Sequence, residues 1–148
     1  MNLILINACQ YINSNQTIYY KLQYSPPAIK AALAGIRDHY ASTDTYNNTE
    51  FLVFAIDWNS SEATFDWAQN LLDQYPNTAA ILSTCQLLNI DSDGKTPLIT
   101  SKGFEFWIDF IHKNDQIFLT MNSHYHGAAN MVAKNAYGRD VLMMVVDY

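Results

Sequence analysis

Four short apolar runs constrain this chain most: residues 51–56 (FLVFAI), 79–83 (AAILS), 117–121 (IFLTM) and 141–146 (VLMMVV). Runs of five or six apolar residues with little polar alternation read as strands buried on both faces, the pattern of a sheet covered above and below. Amphipathic segments separate the first three. Phe65, Ala68, Leu72 and Tyr75 recur at helical spacing, with Trp67 and Leu71 widening the apolar stripe and Pro76 ending it. Asn59, Ser60 and Ser61 offer capping side chains for that helix, and Glu62 falls near its positive end. Residues 103–114 (GFEFWIDFIHKN) read as another helix, with Phe106, Phe110 and Ile111 turned inward. From residue 51 the order is therefore strand–helix–strand–helix–strand–strand, which predicts an α/β (α+β) fold with a mixed sheet flanked by helices.

The first third is organised differently. Residues 2–6 and 18–24 (IYYKLQY) read as strands, and Ser25-Pro26-Pro27 opens a helix whose apolar face is Ile29, Leu33, Ile36 and Tyr40. Residues 41–50 are rich in Ser, Thr and Asn and read as a loop, so 25–50 looks like a helical insertion plus loop within a single or partial domain spanning 1–148.

Composition removes several classes of function. A net charge of −6 and the lack of any Lys/Arg cluster argue against a nucleic-acid binder or an anionic-membrane binder. The apolar stretch at 3–6 is too short for a signal h-region or a membrane span. With 49% hydrophobic and 15% charged residues, the chain is expected to fold around a core. Asn15, Asn47 and Asn59 each begin an Asn-x-Ser/Thr triplet, either glycan acceptors of a secreted protein or chance products of an Asn-rich chain; on these the compartment leans outside the cytoplasm.

In α/β sheets chemistry collects just beyond the carboxyl ends of strands. Two polar groups fall there: Cys85, after the run at 79–83, and His124-Tyr125-His126-Gly127, after the run at 117–121. Two imidazoles one residue apart can face one pocket, and neutral histidine is a common transition-metal ligand. Asp91-Ser92-Asp93-Gly94 has the flavour of a calcium loop but lacks the closing Glu, and reads as a turn.

The segments FLVFAIDWNSSEATFDWAQNLLDQYPNTAAILSTCQLL and IFLTMNSHYHG, with Gly138-Arg139 and the closing residues 145–148, resemble the second half of calcineurin-like metallophosphoesterases. The resemblance covers about residues 50–148. It implies the C-terminal half of an αββα sandwich and a binuclear zinc, manganese or iron centre that hydrolyses phosphoesters through a metal-bridging hydroxide. Under it, His124 and His126 each ligate a metal, Ser123 replaces a glycine, and Cys85 stands where the family has a metal-binding histidine. Asn7 falls where an asparagine ligand belongs and Ala8 where the family has its leaving-group histidine. The family's Asp-x-His strand has no counterpart, so the bridging carboxylate is missing.

The resemblance thus points to a relative of metal-dependent phosphoesterases that is inactive as this chain alone; the alternative is a non-catalytic structural or binding module, an extracellular glycoprotein component among the options. It also brings Cys9 and Cys85 to the border of the former metal pocket, either as a disulfide or as two buried thiols. Half a sandwich leaves a sheet face to be covered, by a preceding segment, a second chain or a second copy.

Overall fold

The computed structural model describes residues 39–46 and 49–147, with side chains from Glu50 onward. The described elements are strands β1 (His39–Tyr46) and β2 (Thr49–Ile56), helix α1 (Glu62–Gln74), and strands β3 (Ala79–Thr84), β4 (Leu88–Ile90) and β5 (Pro97–Ile99). Helix α2 (Ser101–Phe106) follows and continues as a π turn, Trp107–Ile111, before strands β6 (Ile117–Asn122), β7 (Gly127–Lys134) and β8 (Asp140–Asp147).

Six of these strands form one mixed sheet in the order β1-β2-β3-β6-β8-β7, and β4 and β5 form a separate hairpin. The four inner strands, β2, β3, β6 and β8, run parallel, while β1 and β7 pair antiparallel at the two edges. The parallel interior agrees with the apolar runs, but burial alternates along β2, β3 and β8, so one face of each is buried and not both as expected. Mixed α/β content with a sheet flanked by two helices is the architecture expected from the sequence.

One face of the sheet builds the core. Leu52, Phe54 and Ile56 of β2, Ala80 and Leu82 of β3, and Val141, Met143 and Val145 of β8 are buried against Ala68, Leu71 and Leu72 of α1 and Phe106, Phe110 and Ile111 beyond them. Phe54 meets Trp67 and Phe110 edge-on, with centroids 6.0 and 6.3 Å away, and Phe65 packs on Phe106 at 5.0 Å. Edge-on pairs of this kind add about 0.5–1.5 kcal/mol each beyond the area they bury.

Both helices begin differently from the expectation. Ser61 takes the N-cap of α1, but its hydroxyl does not cap a backbone N–H, and Ser60 Oγ instead donates back to the Asp57 carbonyl. α2 starts at Ser101, before the Gly103 predicted, because the Thr100 side chain accepts from the Gly103 N–H at 2.8 Å. The π turn is closed by His112 N–H donating to the Trp107 carbonyl at 2.8 Å. It brings Trp107, Phe110 and Ile111 all inward.

Three further differences are strands. Residues 41–50, expected as a loop, lie largely in β1 and the start of β2, with His39 opposite Ile56 and Tyr46 opposite Thr49. The polar stretch after Cys85 contains the β4–β5 hairpin, and β7 occupies residues left unassigned. His39 and Tyr40, expected in the last turn of the helix from Ser25, are instead strand, paired with Ile56 and Ala55; the rest of that helix and the expected strands at 2–6 and 18–24 lie outside the described residues.

Thr120 is fully buried on the helix side of β6, and its hydroxyl has no hydrogen-bond partner among the described residues. A buried unsatisfied hydroxyl costs about 1–3 kcal/mol. Thr120→Val, which keeps the shape and removes the orphan, is expected to raise stability by about 1 kcal/mol in urea unfolding. An unchanged or lowered midpoint would show that the hydroxyl has found a partner.

Candidate functional site

The parallel strands deliver their carboxyl ends to one edge of the sheet. Asp57 leaves β2 there, Cys85 leaves β3, and Ser123 and His124 leave β6. Thr84 pairs with Asn122, so the two residues that follow each strand, Cys85 and Ser123, start side by side.

This register brings two of the sequence-selected residues together. Cys85 Sγ lies 3.9 Å from His124 Nδ1, and Gln86 Nε2 lies 3.0 Å from His124 Nε2. The tautomer that suits this pair has Nε2 accepting from the Gln86 amide and Nδ1–H facing the sulfur. His124 also sits at φ 76°, left-handed backbone that a residue with a Cβ adopts at a cost of order 1–3 kcal/mol. The ring is further held by Tyr125, edge-on at 4.8 Å.

Asn122, immediately before these residues, is buried at 5% exposure and does structural work. Its Oδ1 accepts from the Leu88 N–H at 2.8 Å, and its Nδ2 donates to the carbonyls of Leu88 at 2.8 Å and Ser123 at 2.9 Å. The side chain acts as a piece of strand: it pairs the main chain of β4 and so fastens the β4–β5 hairpin beside the edge where Cys85 and His124 emerge. Neither Asn122 nor Gln86 stood out in the sequence, because an Asn at a strand end looks like a turn residue and a lone Gln carries no signature.

As metal ligands these groups fit poorly. Cys85 is disulfide-bonded, so its sulfur has no thiolate to offer an ion. Both ring nitrogens of His124 face other partners. His126 is exposed, two residues further on. Among the described residues no group of three or more His, Cys, Asp or Glu side chains converges in a way that would hold an ion. Asn7 and Cys9 lie outside the described residues.

The loop 91–96 is a turn, as its sequence indicated. Asp93 accepts from the N–H groups of Lys95 and Thr96, each at 2.8 Å, and from Thr96 Oγ1 at 2.5 Å. The Thr96 hydroxyl first, and then the two amides, hold the Asp93 carboxyl below the ordinary 3.8. A carboxylate so occupied by its own loop has little left for a cation. Of the three glycosylation triplets, Asn59 is exposed in the turn between β2 and α1, whereas Asn15 and Asn47 lie outside the described residues. No helix among the described residues is long and apolar enough to cross a membrane.

Comparison with known protein families, curated proteins and solved structures returns no match for this chain.

Proposed function

We propose that this chain is a metallophosphoesterase-type domain that has lost its hydrolytic centre and serves as a non-catalytic binding or structural module. The observation that carries this reading is the chemistry of one corner of the sheet. At the end of β3, where the resembled family presents a metal-binding histidine, stands a disulfide-bonded sulfur, 3.9 Å from the histidine that would be its fellow ligand. A binuclear phosphoesterase needs two ions held a few ångströms apart by a bridging carboxylate, with a hydroxide between them. No Asp-x-His segment supplies that carboxylate. What survives is the frame: parallel strands, flanking helices and a His-Tyr-His turn after β6. In the same reading the sheet is one layer of an αββα sandwich, with a second sheet on the face away from the helices.

An oxidising compartment belongs to this reading. Structural disulfides persist in oxidising surroundings, and the exposed triplet at Asn59 suits a glycan there.

Elemental mass spectrometry of purified, unchelated protein tests the reading, together with turnover of bis(p-nitrophenyl) phosphate. Zinc, manganese and iron are expected well below one equivalent, and turnover at the level of the buffer blank, with His124→Ala and His126→Ala changing neither. A full equivalent of metal lost in His124→Ala, with chelator-sensitive hydrolysis, would overturn it in favour of an active hydrolase.

A further inference from the structure

The sheet has two faces, and α1, α2 and the β4–β5 hairpin occupy only one. On the other face, the outward positions from Phe51 to Ala55 on β2, Ala79 to Ser83 on β3, Leu119 to Met121 on β6 and Leu142 to Val146 on β8 carry no charged side chain. Parallel strands are almost always covered on both sides. A face of this composition is therefore built to meet another layer.

Two observations identify the layer. Cys85 is disulfide-bonded, and the sequence holds one other cysteine, Cys9. Pairing within the chain would tie Cys9 to the carboxyl end of β3, where Cys85 stands. The described chain begins at His39, opposite Ile56, the last residue of β2, which is at the same edge of the sheet. Of the described elements, α1, α2 and the β4–β5 hairpin all pack on the helix side, so the open side is the one a further segment such as residues 1–38 can cover. Its own sequence suits the open side: the runs at 2–6 and 18–24 are apolar or aromatic, β-favouring stretches.

We propose that residues 1–38 dock on the uncharged face formed by Phe51, Val53, Ile81, Met121, Leu142 and Met144, and that a Cys9–Cys85 disulfide pins them at the carboxyl edge beside His124. The bond forms by exchange: the two thiols give up two protons and two electrons to a small-molecule or protein disulfide, which leaves as two thiols. The Cys85 disulfide, the composition of the face and the sequence of residues 1–38 support this docking whether or not the domain descends from phosphoesterases. Both readings use the Cys85 disulfide, but metal content and turnover test only the first and a cross-link from position 144 tests only the second, so their failures are distinguishable.

The test uses the full chain in two measurements. Non-reducing digestion and mass spectrometry are expected to give one linked peptide pair containing Cys9 and Cys85 from monomeric protein. A photo-reactive benzoylphenylalanine placed at Met144 is expected to cross-link to a peptide from residues 1–38 of the same chain, and Cys9→Ser is expected to lower the thermal midpoint while raising binding of a hydrophobic dye. A Cys85–Cys85 link between copies, or a cross-link from position 144 into a second molecule, would assign the face to a dimer and overturn the proposal. Two free thiols in protein purified without reductant would overturn the staple, and a position-144 probe that reaches only solvent would overturn the docking.

Discussion

Replacing Gly103 by alanine is expected to destabilise the protein by about 3–5 kcal/mol, enough to remove most soluble folded material from a domain of ordinary stability. Gly103 lies in the first turn of α2, buried against the main chain just before β4. A Cβ built there would stand 2.1 Å from the Leu87 carbonyl oxygen and 2.9 Å from its carbon. These are backbone atoms, so no rotamer change relieves the clash. The Leu87 carbonyl also accepts from the Thr100 N–H at 3.0 Å, which fixes the start of the helix on that strand of chain. Alanine therefore has to push α2 outward and take Phe106 and Phe110 with it. Gly94→Ala is the control: nothing lies within 4 Å, and the φ of +70° alone should cost about 1 kcal/mol. Circular dichroism during urea unfolding would compare the two, and equal, small losses would show that α2 is free to shift.

Asn122→Ala is expected to cost about 2–4 kcal/mol, because it strands the N–H and C=O of Leu88 in a site where that residue is fully buried. Asn122→Leu fills the volume but leaves the same two groups unpaired, and should be nearly as damaging. The pair of variants separates packing from hydrogen bonding. Recovery of stability in the leucine variant would mean that the side chain matters as filler and that the β4–β5 hairpin is held by other contacts.

The sequence and the structure agree where hydrophobic pattern alone decides the outcome. β2, β3, β6 and β8 are dense apolar runs, and Phe65, Leu72, Phe106 and Phe110 mark the helix faces that pack on them. They diverge where one side of an element is wet or where the element is short. β1 contains Ser42, Thr43, Asp44 and Thr45, a composition suited equally to a loop, and pairing with β2 overrides that local preference. β7 is rich in Ala and packs on the core through one face only, and β4 and β5 hold three residues each, too few to show a period. At the candidate site, the strand-end rule was enough to bring Cys85 and His124 together. It could not reveal Gln86 or Asn122, whose roles depend on a register between distant strands. The capping of α2 was missed for a simpler reason: Thr100 follows an apolar stretch that did not read as a strand.

The order of the strands also dictates how the molecule can be assembled as it is synthesised. β1, β2 and β3 become available in the order in which they stand in the sheet. β8, the last described strand to leave the ribosome, lies between β6 and β7. Until it emerges, β7 has no neighbour to pair with and β6 has an unfilled side. At about 5–20 residues per second, the interval from the end of β6 to the end of β8 lasts a second or more. During that time the growing chain carries an unpaired β7 and an open side on β6, and a nascent-chain binder would find its target there.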